Sequence, residues 1–131
     1  MLLDTWIQVQ CLLLMQLQRL KDLQMQDITP QEAFAEISSG RAIGIDVREP
    51  LEWEAGHAEN VIWNPMSTFD VNALPTDKPL IFICRSGNRS GQVATSVAAQ
   101  MENVFNMVGG MKAWHEAGLT MVSATGNPEV A

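Results

Sequence analysis

The chain has 131 residues, of which 47% are hydrophobic and 18% charged, a composition that fits one globular domain and is too short for two ordinary ones. Its 8 basic and 15 acidic residues give a net charge of -7, so the surface as a whole should repel nucleic acid and anionic membranes. Two cysteines, Cys11 and Cys84, are too few for a disulfide framework or a zinc cluster, and the cytoplasm is the expected compartment.

Residues 1–24 predict an amphipathic helical extension. Its apolar side chains recur at spacings of three, four and seven residues, and they are Leu3, Trp6, Leu13, Leu17 and Leu20. Interrupting glutamines and charges exclude a transmembrane segment, and Asp4 argues against a signal peptide. We expect this stripe to pack on the chain's own domain or on a second copy, which would form a homodimer through the helix. Attachment to a membrane surface is disfavoured because the polar face is rich in Gln and poor in Lys and Arg.

From residue 25 to residue 122, short apolar runs alternate with helical stretches. Residues 123–131 are expected to form a flexible tail, and the chain is expected to fray after Thr120. Thr29, Pro30 and Glu32 provide a cap, a first-turn proline and a capping box for a helix over residues 31–38. Apolar runs predict strands over residues 42–47, 61–63, 79–84 and 104–108. Further helices are predicted over residues 49–55, 89–101 and 111–117.

Short apolar strands separated by helices are typical of an α/β fold in which helices cover both faces of a parallel sheet. In such sheets, ligands bind beyond the carboxyl ends of the strands. The strongest predicted strand covers residues 79–84, so the residues that follow it are the first candidates for a functional site.

A loop of small and basic residues follows this strand and leads directly into a helix. Its residues are Cys84, Arg85, Ser86, Gly87, Asn88, Arg89 and Ser90. Gly87 and Asn88 tolerate a positive φ, so successive backbone N–H groups can point at one centre, where the helix dipole adds to their field. A thiol at this centre, with Arg85 and Arg89 nearby, should be a thiolate at neutral pH, because such surroundings lower the pKa of cysteine. Cys84 is therefore the candidate nucleophile.

The alternative for Cys84 is a structural role, since most free cysteines are buried apolar residues. A structural thiol does not need flanking Gly, Asn and two Arg residues, whereas an activated thiol does. Three of the eight basic residues, Arg48, Arg85 and Arg89, are candidates to converge on one spot of an otherwise acidic protein. This contrast predicts an anionic substrate.

Between about Asp27 and Leu119 the chain resembles the single-domain rhodaneses, or rhodanese-like sulfurtransferases. The motifs that carry the resemblance are Asp46-Val47-Arg48, Glu49-Pro50, Glu52-Trp53, Gly56-His57 with Pro65 downstream, the loop CRSGNRS, and Gly109-Gly110 before residues 111–114. The resemblance implies a five-stranded parallel sheet with helices on both faces. It also implies that the loop cysteine takes a sulfane sulfur from a small anionic donor such as thiosulfate, becomes a persulfide, and passes the sulfur to cyanide or to a small-molecule or protein thiol.

The resemblance also implies roles for the residues around this cysteine. Those expected to bind the substrate are Arg85, Ser86, Gly87, Asn88, Arg89 and Ser90. Among these, Arg85 and Arg89 would hold the anionic end of the donor, and Ser90 would also cap the following helix. Those expected to support the loop through an ion pair are Asp46, Arg48 and Glu52. From the residues alone, Asp46 could equally be an ordinary carboxylate at a strand end.

The two histidines carry no catalytic prediction. His57 lies at the start of the next parallel strand, which places it at the amino-terminal edge of the sheet, so we expect a structural hydrogen bond there. Neither His57 nor His115 has a metal-ligand partner at usable spacing. We therefore expect neither a metal nor another cofactor.

Three alternative functions are considered for a chain with this cysteine loop. A Cys-dependent phosphatase or arsenate reductase also attacks with a thiolate in a Cys-to-Arg loop, but those enzymes place five residues between Cys and Arg. Four residues separate Cys84 from Arg89, and the smaller ring suits a single sulfur atom. A rhodanese-like binding module typically lacks the cysteine or the loop glycine, and this chain has both. A persulfide carrier in a sulfur relay would use the same loop, so no local residue separates a carrier from a thiosulfate enzyme.

Overall fold

The computed structural model describes residues 2–22 and 24–131, and the side chains of residues 4–20 and 24–131. Its helices are α1 (Leu2–Asp22), α2 (Pro30–Ser38), α3 (Pro50–Ala55), α4 (Asn88–Ala98) and α5 (Gly110–Glu116). Its strands are β1 (Gln26–Ile28), β2 (Ile43–Asp46), β3 (His57–Ala58), β4 (Ile62–Trp63), β5 (Leu80–Ile83), β6 (Val104–Met107) and β7 (Met121–Val122). Two 3₁₀ turns, Met66–Thr68 and Val71–Ala73, lie between β4 and β5.

Five strands form one parallel sheet in the spatial order β1-β6-β5-β2-β4, which confirms the predicted α/β fold. The central strand, β5, is buried along its whole length. Asp46 at the end of β2 lies beside Ile83 at the end of β5, and Asn106 on β6 lies beside Phe82. The carboxyl ends of three neighbouring strands therefore meet at one edge of the sheet, where ligands bind in such folds.

The side chains along β5 alternate between the two faces of the sheet, as they do in any strand. One face packs against α4, and its core includes Leu80, Phe82, Cys84, Val93, Ala94, Val97 and Ala98. The other face packs against α2 and α5, and its core includes Ile81, Ile83, Ala33, Ile37, Met111 and Trp114. Cys84 therefore lies on the same side of the sheet as α4, the helix that begins directly after its loop.

The helices form where the sequence predicts them, with shifts of a few residues at their ends. At the start of α2, Glu32 N–H donates to Thr29 Oγ1 at 3.2 Å and Thr29 N–H donates to Glu32 Oε1 at 3.3 Å, which is the predicted capping box. α4 ends at Ala98 rather than at residue 101, because the chain turns through Asn103, at φ 58°, to enter β6.

An additional strand pair is not foreseen by the sequence. β3 and β7 pair antiparallel with each other, outside the main sheet, so the expectation that the chain frays after Thr120 is wrong for Met121 and Val122. Residues 123–131, the expected flexible tail, include Glu129, whose N–H donates to the Ala55 carbonyl at 2.9 Å. A two-residue strand is too short to leave a periodic signal, so only the folded chain reveals this pairing.

The predicted helix α1 forms, but it does not bury its apolar stripe. Every described side chain from Asp4 to Leu20 is exposed, Trp6 and Leu17 each by 62%. The expectation that this helix docks on its own domain is therefore wrong for these side chains, while pairing with a second copy stays a prediction. Leu3, the first residue of the stripe, lies outside the described side chains. No helix within residues 2–22 and 24–131 is long and apolar enough to cross a membrane.

Candidate active site

The loop after β5 turns the chain directly into α4. Gly87, the N-cap residue of α4, has a φ of 101°, a left-handed conformation that glycine adopts without strain. A Cβ at this position would lie 3.3 Å from Gly109 N, so the loop is also closely packed from behind. The unpaired N–H groups of the first turn of α4 consequently point back toward the end of β5.

The sulfur of Cys84 lies within reach of these donors. Gly87 N–H donates to Sγ at 3.0 Å, and the Ser90 hydroxyl oxygen lies 3.2 Å from Sγ. The inward-facing amide that the sequence predicts is therefore present. Cys84 is 1% exposed and packs with the core on the α4 side, so its sulfur has both apolar neighbours and polar donors.

Two opposing effects act on the pKa of the Cys84 thiol. Burial raises this pKa, because the thiolate loses its contact with water. Hydrogen bonds from the Ser90 hydroxyl and from the backbone N–H groups of Ser90, Gly87 and Ser86 lower it by more. The pKa of Cys84 therefore lies below that of an ordinary cysteine, and the loop favours the nucleophilic thiolate.

Ser90 joins this sulfur to a residue that the sequence analysis missed. Ser90 lies inside the first turn of α4 and is not its cap, since Gly87 takes that position, so the predicted capping role is wrong. Its buried hydroxyl oxygen also lies 2.6 Å from Asn106 Oδ1 on β6, and Asn106 Nδ2 donates to the Gly87 carbonyl at 3.2 Å. The sequence offers one signal for Asn106, a single polar residue within an apolar strand. It does not show that β6 lies next to β5, which is what brings Asn106 to Ser90.

Arg89 is tied to α3 by an ion pair with Glu52. Its Nη1 and Nη2 atoms donate to the two carboxylate oxygens at 2.8 and 2.7 Å, and Glu52 Oε1 also accepts from Glu49 N–H at 3.1 Å. Hydrogen bonds from Arg89 hold the pKa of Glu52 below its ordinary value, and the same carboxylate raises the pKa of Arg89. The partner of Glu52 is thus Arg89 and not Arg48. Binding of a donor by Arg89 stays a prediction, because both terminal nitrogens already bond to a carboxylate.

Asp46 and Arg48 form an ion pair whose side chains are completely buried. Arg48 Nη2 donates to Asp46 Oδ2 at 2.9 Å and to the Gly56 carbonyl at 2.8 Å. Because Arg48 is inaccessible, the expectation that it converges with Arg85 and Arg89 on an anionic substrate is wrong. The pair instead connects the end of β2 to Gly56, the residue that follows α3.

The outer residues of the loop face solvent. Arg85, Ser86 and Asn88 are all exposed, and Arg85 Nε donates to the Ala131 carbonyl oxygen at 3.1 Å. Arg85 is thus an accessible cation one residue from the candidate nucleophile. The donor-binding role that the sequence predicts for Arg85 stays a prediction.

The start of α5 holds the loop from behind. Met111 N–H donates to the Cys84 carbonyl at 2.8 Å, and Lys112 N–H donates to the Arg85 carbonyl at 3.0 Å. Gly110, at φ 58°, permits this contact, since a Cβ there would lie 2.5 Å from both carbonyl oxygens. The second glycine of the Gly-Gly motif therefore serves a close approach between two backbone segments.

His57 makes the structural contacts expected of it. Its Nδ1 donates to the Trp53 carbonyl at 2.9 Å, and its ring stacks on Trp53 with the centroids 3.5 Å apart. It begins β3 outside the main sheet, however, and not a strand of the parallel sheet as predicted. Within the part of the chain that the structure describes, no group of His, Cys, Asp or Glu residues could hold a metal ion.

Comparison with known protein families places residues 29–117 in a rhodanese-like domain. An uncharacterized Synechocystis protein, slr1261, is 34% identical over 87 residues, which are 64% of this chain and 49% of that protein. The probable adenylyltransferase/sulfurtransferase MoeZ of Mycobacterium tuberculosis is 32% identical over 93 residues, 66% of this chain and 24% of MoeZ. The chain thus spans about half of the first relative and a quarter of the second. The thiosulfate sulfurtransferase GlpE of Haemophilus influenzae is 31% identical over 105 residues, 78% of this chain and 99% of GlpE.

Solved structures show the same domain. A rhodanese-related protein from Thermoplasma volcanium matches with a TM-score of 0.68 and 29% identity, over 74% of this chain and 97% of that one. A rhodanese-like domain protein from Staphylococcus aureus matches with a TM-score of 0.65 and 29% identity, over 76% of this chain and 100% of the other. Each match takes in nearly the whole of the other chain, so the common unit is a complete small domain.

Proposed function

The chain belongs to the rhodanese-like family, and on that basis we propose that it is a sulfurtransferase that moves a sulfane sulfur through a persulfide on Cys84. The observation that carries this proposal is the convergence of donors on one sulfur atom, with Gly87 N–H at 3.0 Å and the Ser90 hydroxyl at 3.2 Å from Sγ. Fixed donors of this kind stabilise a localised negative charge at the start of a helix.

In the first half-reaction, the Cys84 thiolate attacks the outer sulfur of thiosulfate. A bond forms between Sγ and that sulfur, the S–S bond of thiosulfate breaks, and sulfite leaves with the bonding electron pair. The negative charge then lies on the outer sulfur of the persulfide, next to the loop N–H groups.

In the second half-reaction, a nucleophile attacks the outer sulfur of the persulfide. Cyanide would leave as thiocyanate, and a small-molecule or protein thiolate would leave as a persulfide, while Cys84 returns to the thiolate in either case. The two half-reactions share one covalent intermediate, so the kinetics should be ping-pong.

We expect the donor to be small and anionic. Cys84 is 1% exposed, so a small donor would reach the sulfur more readily than a large one. The exposed Arg85 lies next to that sulfur in the chain and would hold the anionic end of the donor, assisted by Arg89. A thiol that must stay reduced to act also suits the cytoplasm, which we propose as the compartment.

The same persulfide would serve a carrier in a sulfur relay, which differs only in passing its sulfur to a protein. A phosphatase or arsenate reductase would need a wider ring for a tetrahedral oxyanion than the four residues between Cys84 and Arg89 provide. The loop length therefore favours sulfur chemistry over phosphorus chemistry.

Turnover with thiosulfate and cyanide, run beside a generic phosphate ester, tests this proposal. Wild type and Cys11→Ser should form thiocyanate, Cys84→Ser should not, and none of the three should hydrolyse the ester. Hydrolysis of the ester alone, lost in Cys84→Ser, would assign the loop to the phosphatase class. Persulfide formation from thiosulfate without turnover to cyanide would instead identify a carrier.

A further inference from the structure

The Ser90 hydroxyl is placed between two acceptors. Its oxygen lies 3.2 Å from Cys84 Sγ and 2.6 Å from Asn106 Oδ1, and the residue is completely buried. A serine hydroxyl carries one proton, so it can donate to only one of these acceptors at a time. The sulfur and the amide oxygen therefore compete for one donor.

The orientation of the Asn106 amide is fixed by its second contact. Asn106 Nδ2 donates to the Gly87 carbonyl at 3.2 Å. Rotating the amide by half a turn would place Oδ1 against that carbonyl, with two acceptors facing each other and no proton between them. Asn106 Oδ1 therefore faces Ser90 as an acceptor, and with 7% exposure it has little access to water as a substitute donor.

We propose that Asn106 is a positioning residue that competes with Cys84 for the hydrogen bond that the Ser90 hydroxyl donates. The hydroxyl donates to Asn106 Oδ1 while the Cys84 sulfur is uncharged, and it donates to that sulfur instead when Cys84 ionises. In the thiol, S–H donates to Ser90 Oγ and the hydroxyl donates to Asn106 Oδ1, so each polar group has a partner. On ionisation the thiol proton leaves to solvent or base. The hydroxyl then turns to Sγ, and Asn106 Oδ1 is left without its donor.

The persulfide restores the first arrangement. Once Sγ is bonded to a second sulfur, the negative charge lies on the outer atom, and the Ser90 proton can return to Asn106 Oδ1. This part of the inference rests on the proposed function, whereas the exchange between thiol and thiolate does not. Asn106 thus favours the two states in which Sγ is uncharged, and it works against the thiolate that the loop otherwise stabilises.

The charged groups of the loop and of the elements next to it are left unchanged by the Asn106→Leu and Ser90→Ala variants. They are Arg85, Arg89, Glu49, Glu52, Asp46, Arg48 and Lys112. Only the hydrogen-bonding atoms of Ser90 and Asn106 are removed, so the shift that is measured reports on their competition.

The experiment follows the pH dependence of Cys84 alkylation by iodoacetamide, measured by intact mass in the full chain with Cys11→Ser throughout. Asn106→Leu should lower the midpoint of the alkylation rate against pH by about half a pH unit. Below that midpoint, alkylation should then be about threefold faster than in wild type. Ser90→Ala should raise the midpoint, and by more in the Asn106→Leu background than alone. Thr95→Val removes a hydroxyl from the same helix that donates to the Gly91 carbonyl, and it should leave the midpoint unchanged.

The Ser90→Ala background separates the competition from the contact with Gly87. If Asn106→Leu acted only by releasing the Gly87 carbonyl, it would shift the midpoint equally with and without the Ser90 hydroxyl, whereas competition predicts a shift only when that hydroxyl is present. An equal shift in the two backgrounds, or a higher midpoint in Asn106→Leu than in wild type, would overturn the proposal. Should Asn106→Leu fail to fold, Asn106→Val replaces it with the same expectation.

Persulfide loading tests the second part separately. At a fixed ratio of thiosulfate to sulfite and at a pH above the alkylation midpoint of both proteins, Asn106→Leu should load a smaller fraction of Cys84 than wild type, by about the factor seen in alkylation. Equal loading would overturn the persulfide half of the inference. Absence of loading in the wild type would overturn the proposed function instead, and the alkylation profiles would still decide the role of Asn106.

Discussion

Cys84 depends on the geometry of a turn for its reactivity. A thiolate removed from water is disfavoured unless nearby donors outweigh the loss of solvent. Here the donors are the Ser90 hydroxyl and the N–H groups of the first turn of α4. His57 donates to the Trp53 carbonyl and not to the Cys84 sulfur. The hydrogen bonds of the loop therefore lower the pKa of this thiol, and His57 takes no part in them.

The pH dependence of persulfide formation should reflect this activation. Because the pKa of Cys84 is lowered, its thiolate is fully formed at a lower pH than that of a free thiol, and the rate should fall about tenfold per pH unit only below that pKa. Single-turnover loading from thiosulfate between about pH 5 and pH 10 measures it, with N-acetylcysteine as the reference thiol. A midpoint at or above that of the reference would show that burial outweighs the hydrogen bonds.

Breaking the buried pair Asp46–Arg48 should cost far more stability than breaking an exposed pair of the same type. Asp46→Ala leaves the Arg48 guanidinium buried without its carboxylate, which should cost roughly 3–5 kcal/mol in the free energy of unfolding. Glu36→Ala breaks the Arg41–Glu36 pair, whose side chains are 61% and 39% exposed, and should change little. Urea unfolding measures the free energy of unfolding of both variants. Similar losses of stability in the two would show that burial of the Asp46–Arg48 pair makes no difference.

At the scale of elements, two helix starts meet at the loop. α4 provides the donors to Sγ, and α5 fixes the loop from the other side through Met111 N–H and Lys112 N–H. The Glu52–Arg89 pair connects the first of these helices to α3. The loop is thus held by three short helices, so its shape is sensitive to where each helix begins.

Gly110→Ala tests this sensitivity. Its Cβ would lie 2.5 Å from the carbonyl oxygens of Cys84 and Arg85, so α5 must move and persulfide formation should fall at least about tenfold, a loss of about 1.4 kcal/mol. Gly118→Ala is the matched control, because it has φ 71° and nothing within 4 Å of the added Cβ. Both variants should lose about 1–2 kcal/mol of stability from the left-handed backbone. Equal loading rates in the two would exclude a steric role for Gly110.

The extent of sequence prediction differs between these elements. The central strands are predictable because each is an apolar run, and α4 is predictable because Val93 and Val97 have the i, i+4 spacing of a helix. The hydrogen-bond donors around Cys84 are predictable because they depend on Gly87, a residue of the same loop whose left-handed conformation glycine readily adopts. The Asn106 contact depends on which strands adjoin, and the Arg48 burial depends on packing, so neither has a local signal. The β3–β7 pair was missed because two residues show no periodicity.

At the scale of the whole molecule, the order of the strands explains where the site lies. β2, β5 and β6 are neighbours, and their carboxyl ends carry Asp46, Cys84 and the Gly109-Gly110 turn. These three positions are far apart in the linear sequence. The parallel sheet brings them to one edge, while the described apolar side chains of α1 stay exposed.

The exposed stripe of α1 predicts self-association. A continuous apolar face of this length is unfavourable in water, and a second copy would cover it. Light scattering should therefore give the mass of a dimer for the wild type and of a monomer for the double variant Leu13→Lys with Leu17→Lys. Gln8→Lys changes the opposite, polar face and should leave the dimer intact. A wild type of monomer mass would contradict pairing through this helix.

The most direct measurement is the intact mass of the chain after incubation with thiosulfate. A gain of one sulfur, about 32 Da, is expected in wild type and in Cys11→Ser, with its removal by cyanide or dithiothreitol. Cys84→Ser should gain nothing. A wild type that gains no mass, or a Cys84→Ser variant that still gains it, would contradict a persulfide at the end of β5.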